Sequence, residues 1–348
     1  MIDPAEVERY RLPQEENERI FREGIVPELL HGRASQETPT VVFLVGQPGV
    51  GKSRVTEMVA AQLNRHGGFV DVDSDLYKPY HPAYPELMAR DDALMAAYTR
   101  ADGRAWMAQA EQYVRDHGLH AIIQETSQNA EAVAEKMRAY REAGARIEGL
   151  FMGVPPAMSN QGIVARNIEQ LADRGQGRLT VQANADESYR GILDLADRVD
   201  AAALVDLASV YRRGETKPRY SNNLDETGAW TNPPALRQSL ESERARPWTD
   251  AESTSFVTTQ LRLREAGRGL GGRMARPARD DRSPGPTAAH PCRWRPARTA
   301  RPSSAAACSR STTTGRRPSA SEGARPSERP RTEGYQPPGP EQRRGPSR

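Results

Sequence analysis

The sequence predicts an α/β protein in which helices cover both faces of a parallel β-sheet, and three observations lead to that fold class. First, residues 41–45 form a continuous apolar run, which is typical of a strand buried on both faces. Second, further short strands rich in apolar residues are predicted at residues 69–72, 121–125 and 147–154. Third, segments with helical spacing separate these runs, and strands that alternate with helices favour a parallel sheet.

The elements follow one another in a regular order. Residues 5–31, before the first strand, have the apolar spacing of one or two amphipathic helices. Between the strands the helical spacing covers residues 55–63, 106–114, 133–140, 163–171 and 189–195. A last strand is predicted near residues 203–207, and residues 234–265 have the pattern of a helical appendage. Trp106 and Tyr113, seven positions apart, are expected in the core rather than in a base-stacking surface.

The chain is predicted to have four regions. They are a helical N-terminal segment at 1–34, an α/β domain at 35–215, a helical extension at 216–267 and a disordered tail at 268–348. The tail contains few large apolar residues, so it buries too little surface to offset its ordering entropy. Three interpretations of it stay open: a solvated tail, an arginine-rich arm for anionic partners, and an out-of-frame or decayed C-terminus.

The charge and the cysteines exclude several classes of protein. The net charge is +3, but residues 271–348 contain 17 arginines and only 6 acidic residues, so the basic character belongs to the tail. We therefore expect no nucleic-acid binding by the body of the chain. The two cysteines, Cys292 and Cys308, also lie in the tail, which excludes a disulfide-stapled or cysteine–zinc fold. With no apolar run of about 18 residues and no signal-like N-terminus, a cytoplasmic protein without a membrane helix is expected.

The strongest motif lies between the first predicted strand and the following helix. It has the spacing G-x-x-x-x-G-K-[ST] of a phosphate-binding P-loop, and its residues are Gly46, Gln47, Pro48, Gly49, Val50, Gly51, Lys52 and Ser53. The glycines let backbone N–H groups surround phosphate oxygens, and the helix N-terminus adds a positive dipole. Lys52 is expected on the β- and γ-phosphates, and the Ser53 hydroxyl is expected to ligate Mg²⁺. The fold class is therefore refined to a P-loop NTPase-type sheet that binds a nucleoside triphosphate.

Two aspartates, Asp73 and Asp75, follow the second predicted strand. The carboxyl ends of parallel strands line the ligand crevice, so a carboxylate there can orient an acceptor hydroxyl for attack on the γ-phosphate. The alternative is a turn or helix cap, which Asp-Ser-Asp also favours. The sequence contains no N-K-x-D motif, which argues against a GTPase.

Taken together, four segments resemble the zeta toxins of bacterial toxin–antitoxin systems. The resemblance runs from about residue 10 to about 215 and rests on residues 46–53, 72–78, 81–84 and 122–127. It implies a kinase that transfers the γ-phosphate of ATP to the 3′-hydroxyl of UDP-N-acetylglucosamine. It also implies a small helical antitoxin as partner, which blocks the nucleotide site.

The resemblance also implies roles for individual residues. Asp75 corresponds to the catalytic base and Lys52 to the phosphate-binding lysine of the family. The paired arginines that hold the transferring phosphate correspond to Arg166 and Arg178, although a solvated helix face is the alternative for both. Glu111, Glu125 and Thr126 fall where the family binds the sugar nucleotide; many relatives have glycine at the position of Thr126. For Glu111 a helix-surface role is equally compatible.

Other functions remain open at this stage. The chain could be a P-loop kinase of another small acceptor, such as a nucleoside, an antibiotic or a different sugar, or a nucleotide-binding interaction protein without kinase activity. His81 lies in a proline-rich loop and is expected to shape the path over the pocket rather than to catalyse. The six histidines have no metal-ligand spacing, so Mg²⁺ held by Ser53 and the nucleotide is the expected metal.

Overall fold

The computed structural model describes residues 4–90, 92–174, 180 and 182–269. These residues belong to one compact unit, Met1–Asp280, whereas a second unit, Asp281–Arg348, lies wholly outside them. The predicted disordered tail therefore lies outside the described residues from position 270 onwards, with both cysteines.

A six-stranded sheet forms the centre of the molecule. Its strands are β1 Thr40–Val45, β2 Val70–Val72, β3 Ala121–Glu125, β4 Arg146–Met152, β5 Leu207–Tyr211 and β6 Tyr220–Asn223. The spatial order is β2-β3-β1-β4-β5-β6, with β1 between β3 and β4. The first five strands are parallel and β6 is antiparallel to β5. The predicted fold class is confirmed, with an antiparallel edge strand added to the parallel sheet.

Two details of the predicted strands were wrong. The last parallel strand is β5 at Leu207–Tyr211, not residues 203–207. Leu204 and Val205 are buried and apolar, but the preceding helix continues to Ala202 and Ala203 turns the chain with a φ of 48°. The strand β6 lies inside the predicted helical extension, and its polar sequence Tyr-Ser-Asn-Asn contains no apolar run that predicts a strand.

Helices cover both faces of the sheet. The α-helices are α1 Pro4–Tyr10, α2 Gln14–Ile20, α3 Ser53–Leu63, α4 Ser74–Tyr77, α5 Tyr84–Arg90, α6 Asp92–Tyr98, α7 Arg100–His117, α8 Ala130–Glu142, α9 Pro156–Arg174, α10 Gln182–Ala202, α11 Leu236–Ala245 and α12 Asp250–Gly269. A π-helix, Phe21–Leu30, continues α2. The five segments with helical spacing predicted between the strands lie in α3, α7, α8, α9 and α10. The predicted segment 5–31 forms α1, α2 and the π-helix, and residues 234–265 lie mostly in α11 and α12. Within the described parts of the chain, every helix is too short or too polar to pass through a lipid bilayer.

The hydrophobic core has one layer on each face of the sheet, because successive residues of a strand point to opposite faces. Phe43 contributes to the larger layer together with Trp106 and Tyr140, and its neighbour Leu44 contributes to the other layer. Trp106 is fully buried and Tyr113 packs against the same layer. The prediction that these two aromatic residues belong to the core is confirmed.

A buried polar group attaches the N-terminal helices to α7. The Asp102 carboxylate accepts a hydrogen bond from Asn17 at 3.1 Å, and its Oδ2 lies 3.5 Å from His81 Nε2. His81 Nε2 also lies 3.1 Å from the carbonyl oxygen of Tyr10. His81 is buried, and besides these contacts its Nδ1 accepts a hydrogen bond from the amide of Ala83 in its own loop at 3.2 Å; that it shapes the path over the pocket stays a prediction.

Candidate functional site

The glycine-rich loop connects the central strand β1 to α3 at the carboxyl end of the sheet. Gly49 and Gly51 have φ angles of 73° and 85°, in the left-handed region that favours glycine. The amide of Gly46 donates to the carbonyl of Glu125, at the end of β3, over 3.0 Å. The loop predicted from the motif thus has the backbone conformation that a phosphate cradle requires.

Two side chains, one from the loop itself and one from outside it, hold the loop in place. Gln47 Nε2 donates to the carbonyl of Val154 at 3.1 Å and to Ser159 Oγ at 2.8 Å. Arg213, two residues after β5, donates from Nε to the carbonyl of Val50 at 3.1 Å and from Nη2 to that of Gly49. Sequence patterns do not reveal these contacts, because their partners lie more than 100 residues away along the chain.

A cavity of about 1030 Å³ opens over the loop. Most of the residues predicted for the site line it: Gln47, Pro48, Gly49, Val50, Gly51, Lys52, Ser53, Asp75, Glu125, Thr126 and Arg166. Gly46 and Glu111 are not among the lining residues. The predicted catalytic Arg178 lies outside the described residues.

Lys52 is half-buried in the wall of this cavity, at the residue that precedes α3. Burial lowers the pKa of Lys52, and the charges of Asp73 and Glu125 oppose that shift. A cation that has lost part of its hydration binds an incoming anion more strongly than a fully solvated one. Lys52 and the loop amides therefore have the chemistry that an anion-binding site needs.

The aspartates Asp73 and Asp75 have different environments. Asp73 is the N-cap of α4, and its Oδ1 accepts a hydrogen bond from the amide of Asp75 at 2.9 Å. Burial raises the pKa of Asp73, and the charge of Asp75 adds to the shift. The Asp75 side chain is 60% exposed and accepts a hydrogen bond from the buried Lys78 ammonium. The cap that the sequence offered as an alternative is Asp73. Both carboxylates line the cavity, and Asp75 is the more exposed of the two, with Lys78 as its hydrogen-bond partner.

A lysine that the sequence analysis missed connects two predicted site residues. Lys136, on α8, lies 2.7 Å from Glu111 and 2.8 Å from Glu125. Burial lowers the pKa of Lys136, but the two carboxylates outweigh burial and raise it. Glu111 is itself buried, and burial raises its pKa. Glu111 thus lies behind the cavity wall, neither on the helix surface nor in the lining.

The cavity also contains more cations than the sequence analysis identified. Arg100 and Arg104, one turn apart in α7, line it together with Lys78, and Arg166 and Arg213 line it from α9 and from the segment after β5. Arg166 Nη2 donates to Thr180 Oγ1 at 3.3 Å. The helical pattern was recognised only from residue 106, so Arg100 and Arg104 fell outside the predicted helix. The complete set suits a ligand, or two ligands, with several negative charges.

A metal ion at this site would need ligands from a nucleotide. Among the described residues, no group of three or more His, Cys, Asp or Glu side chains is placed to hold an ion. Ser53 begins α3 at the cavity and offers one hydroxyl oxygen, and the nearby Asp73 offers carboxylate oxygens. Oxygen donors of this kind, completed by phosphate oxygens and water, fit Mg²⁺.

Comparisons with known proteins agree with this geometry. The zeta toxin of Streptococcus pyogenes is 23% identical over 146 residues, which are 42% of this chain and 50% of that toxin, so the chain spans about half the length of this curated relative. A solved structure from the PezAT chromosomal toxin–antitoxin system of Streptococcus pneumoniae has a TM-score of 0.63 at 17% identity, covering 74% of this chain and 98% of that one. The AvrRxo1-ORF1:-ORF2 complex with ATP has a TM-score of 0.51 at 14% identity, covering 76% and 91%.

The family of the chain is shown by a sequence model that matches most of the α/β region. The sequence model described as zeta toxin matches residues 28–225, more than half of the chain, and this range contains the loop, both aspartates and the other cavity-lining side chains named above. The chain belongs to the zeta toxin family.

Proposed function

We propose that this protein is an ATP-dependent kinase that phosphorylates the 3′-hydroxyl of UDP-N-acetylglucosamine. The observation that carries the proposal is that a single cavity contains the phosphate-binding loop, Asp75 and Glu125. A nucleotide on the loop and an acceptor beside the two carboxylates would then meet in that cavity. Such positioning is the main requirement for phosphoryl transfer, which needs little covalent chemistry from the protein.

In this proposal the nucleotide binds over residues 46–53. The loop amides and Lys52 hold the β- and γ-phosphates, and Arg166 stabilises the charge that spreads over the transferring group. Arg178 is proposed as a second arginine on that group through the family resemblance. ATP as the nucleotide is supported by the similar fold of the AvrRxo1-ORF1:-ORF2 structure solved with ATP.

Ser53 would hold Mg²⁺ through its hydroxyl oxygen, and Asp73 is near enough to the loop to contribute a carboxylate directly or through water. When bound, the ion neutralises charge on the β- and γ-phosphate oxygens. Burial raises the pKa of Asp73, so a nearby cation would stabilise the ionised form of this carboxylate.

Asp75 is proposed as the base that orients the acceptor hydroxyl and accepts its proton. The Lys78 ammonium donates a hydrogen bond to Asp75 and thereby orients its carboxylate at the cavity. Glu125 and Thr126 are proposed to contact the sugar nucleotide, with Glu111 holding Glu125 in place through Lys136. The cations Arg100 and Arg104 favour an acceptor with phosphate groups, as UDP-N-acetylglucosamine has.

The proposal extends to the organisation of the chain. Residues 35–215 would be the kinase domain, flanked by a helical N-terminal segment and a C-terminal extension. A small helical antitoxin is proposed as partner because solved relatives come from toxin–antitoxin systems, and the cytoplasm is the compartment in which both ATP and the acceptor would be available.

The acceptor can be tested by mass spectrometry. Purified full-length protein with ATP, Mg²⁺ and UDP-N-acetylglucosamine is expected to add one phosphoryl group to the sugar nucleotide. The Lys52→Ala variant should lose about 10³-fold or more of the rate, since it lacks the cation on the transferring phosphate. The exposed Arg198→Met variant serves as a control that keeps the site intact.

Each other outcome has a defined meaning. ATP turnover that depends on Lys52 but leaves UDP-N-acetylglucosamine unmodified would contradict the acceptor and favour a kinase of another small molecule. Absence of nucleotide turnover with all acceptors would favour a binding protein without kinase activity.

A further inference from the structure

Arg213 makes an unusual set of contacts with the backbone around the phosphate-binding loop. It lies two residues after β5 and donates to three carbonyl groups, those of Gly49, Val50 and Met158. The first two belong to the loop and the third belongs to α9. The half-buried guanidinium thus joins the loop to the helix that carries Arg166.

These bonds fix the direction of the loop peptides. In a trans peptide the C=O and the N–H of the next residue point in opposite directions. With the Val50 carbonyl held by Arg213 Nε at 3.1 Å, the amide of Gly51 is directed away from the guanidinium. We propose that Arg213 is a positioning residue for the nucleotide, which orients the loop amides by holding the loop carbonyls and contributes positive charge at the cavity. The inference rests on the nucleotide-binding part of the proposed function and is independent of the acceptor.

Two glycines, Gly51 and Gly162, leave space for the Arg213 guanidinium beside the loop. A Cβ atom at Gly51 would lie 2.7 Å from Arg213 Nε, and one at Gly162 would lie 2.3 Å from Nη2. Both distances are shorter than non-bonded atoms allow, so both positions require glycine as long as the guanidinium stays there. The motif already explains Gly51, whereas Gly162 is explained only by the contact with the loop and Arg213.

Among the described residues, no carboxylate pairs with Arg213. Burial lowers the pKa of Arg213, and the neighbouring charge of Arg212 lowers it further. Arginine nevertheless stays protonated in proteins, so Arg213 keeps a positive charge beside the loop. In a partly desolvated cavity that charge attracts a bound phosphate more strongly than it would in bulk water.

The neighbouring residue keeps the end of β5 in place. Arg212 is almost completely buried and donates to the carbonyls of Gly153 at 3.1 Å and Glu243 at 2.9 Å, and to the Glu252 carboxylate at 2.7 Å. The backbone that carries Arg213 is therefore attached to α11 and α12. This attachment holds the backbone of Arg213 in place, as a positioning residue requires.

The experiment compares ligands of increasing phosphate content. Adenosine, AMP, ADP and ATP displace a fluorescent ATP analogue from the full-length protein, from Arg213→Met and Arg213→Lys, and from the control Arg198→Met. We expect the affinity of Arg213→Met for ADP and ATP to fall about tenfold or more, while its affinity for adenosine changes by less than about twofold. We expect the affinity of Arg213→Lys for ADP and ATP to remain low as well, because one ammonium cannot replace the three directed N–H donors of the guanidinium. Melting curves without nucleotide check that both variants are folded.

Three results would overturn the inference. An equal loss for adenosine and ATP would show a general structural role. Full rescue by Arg213→Lys would show that charge alone matters and that orientation of the loop does not. Unchanged ADP and ATP affinities in folded Arg213→Met would show that Arg213 has no role in nucleotide binding. If the unmutated protein itself fails to bind ADP and ATP, the nucleotide site of the proposed function is wrong, which distinguishes that failure from a failure of Arg213.

Discussion

Two carboxylates two positions apart, Asp73 and Asp75, show how far local environment separates residues of the same type. The Asp73 carboxylate caps α4 and is partly buried, which raises its pKa. The Asp75 carboxylate is exposed at the same cavity and accepts a hydrogen bond from Lys78. Of the two, Asp75 leaves more of its carboxylate accessible to a ligand, which is why it is the one proposed as the proton acceptor.

Replacement of Asp75 by asparagine tests this distinction. Asparagine has nearly the same shape but cannot accept a proton, so we expect turnover to fall by about 10³-fold with the KM for ATP nearly unchanged. Steady-state phosphotransfer over a range of ATP concentrations measures both quantities. The control is Asp197→Asn on the exposed face of α10, where the carboxylate pairs with Arg237. Turnover in Asp75→Asn within about fivefold of the unmutated protein would contradict the assignment of the base.

Which site residues the sequence could predict depends on the distance between partners along the chain. Lys52 and Ser53 were recognisable because all the parts of the phosphate-binding loop lie within eight positions. Lys136 was not, since its partners Glu111 and Glu125 come from two other elements and the helical pattern of α8 gives a lysine no special meaning. Arg213 was missed for the same reason, as it contacts a loop more than 160 positions earlier.

Helix α9 packs closely against the phosphate-binding loop. A Cβ atom at Gly162 would lie only 2.1 Å from the carbonyl oxygen of Gly49. The same helix carries Ser159, which accepts a hydrogen bond from Gln47, and Arg166 at the cavity. The helix therefore sets the shape of the loop as well as the position of one candidate catalytic arginine.

Gly162→Ala is expected to disturb this packing. The added methyl group displaces the loop or Arg213, so we expect ATP affinity to fall about tenfold or more and the free energy of unfolding to fall by about 1–3 kcal/mol. Nucleotide titration and urea unfolding measure the two effects. Gly267→Ala in α12 is the matched control, because nothing lies within 4 Å of its added Cβ and alanine favours an exposed helix by about 1 kcal/mol. Equal behaviour of the two variants would contradict the close contact.

At the level of elements, the predictions succeeded where apolar periodicity was strong. The predicted strand 121–125 became β3 with the same bounds, since its first three residues are apolar and buried as in a parallel sheet. The antiparallel β6 was not predicted because its residues are polar and its position depends on pairing with β5. Element ends also shifted by several residues, as with α7, which begins at Arg100 rather than near Trp106.

Across the whole described unit, a charged group connects the C-terminal helices to the sheet. Arg212, from the end of β5, and Arg246, after α11, share the carboxylates of Glu243 and Glu252. Burial alone would raise the pKa of Glu252, but hydrogen bonds from Arg246, the Thr249 backbone and Arg212 outweigh it and hold the pKa at about 2. The stability of this attachment is therefore linked to pH.

The sign of the linkage gives a prediction for Glu252→Gln. A carboxyl group whose pKa is lower in the folded protein stabilises the fold above its ordinary pKa of 4.5, and this contribution disappears as the pH falls towards 2. We expect the unmutated protein to exceed Glu252→Gln in free energy of unfolding at pH 7, and the difference to shrink between pH 4.5 and the lowest pH at which both fold. Urea unfolding monitored by tryptophan fluorescence measures it, with the exposed Glu226→Gln as control. A difference that does not vary with pH would contradict the linkage.

The polar edge strand β6 also affects how copies of this protein behave in concentrated solution. Without it, the outer side of β5 would present unpaired backbone groups to which a strand of another molecule can bind. β6 satisfies those groups with only four residues, and its own Asn222 is bonded to the carbonyl of Asn232 in the segment that follows. At the opposite edge β2 has only three residues. Short, polar or covered edges of this kind disfavour sheet-to-sheet aggregation, which protects a chain whose central strands are almost entirely apolar.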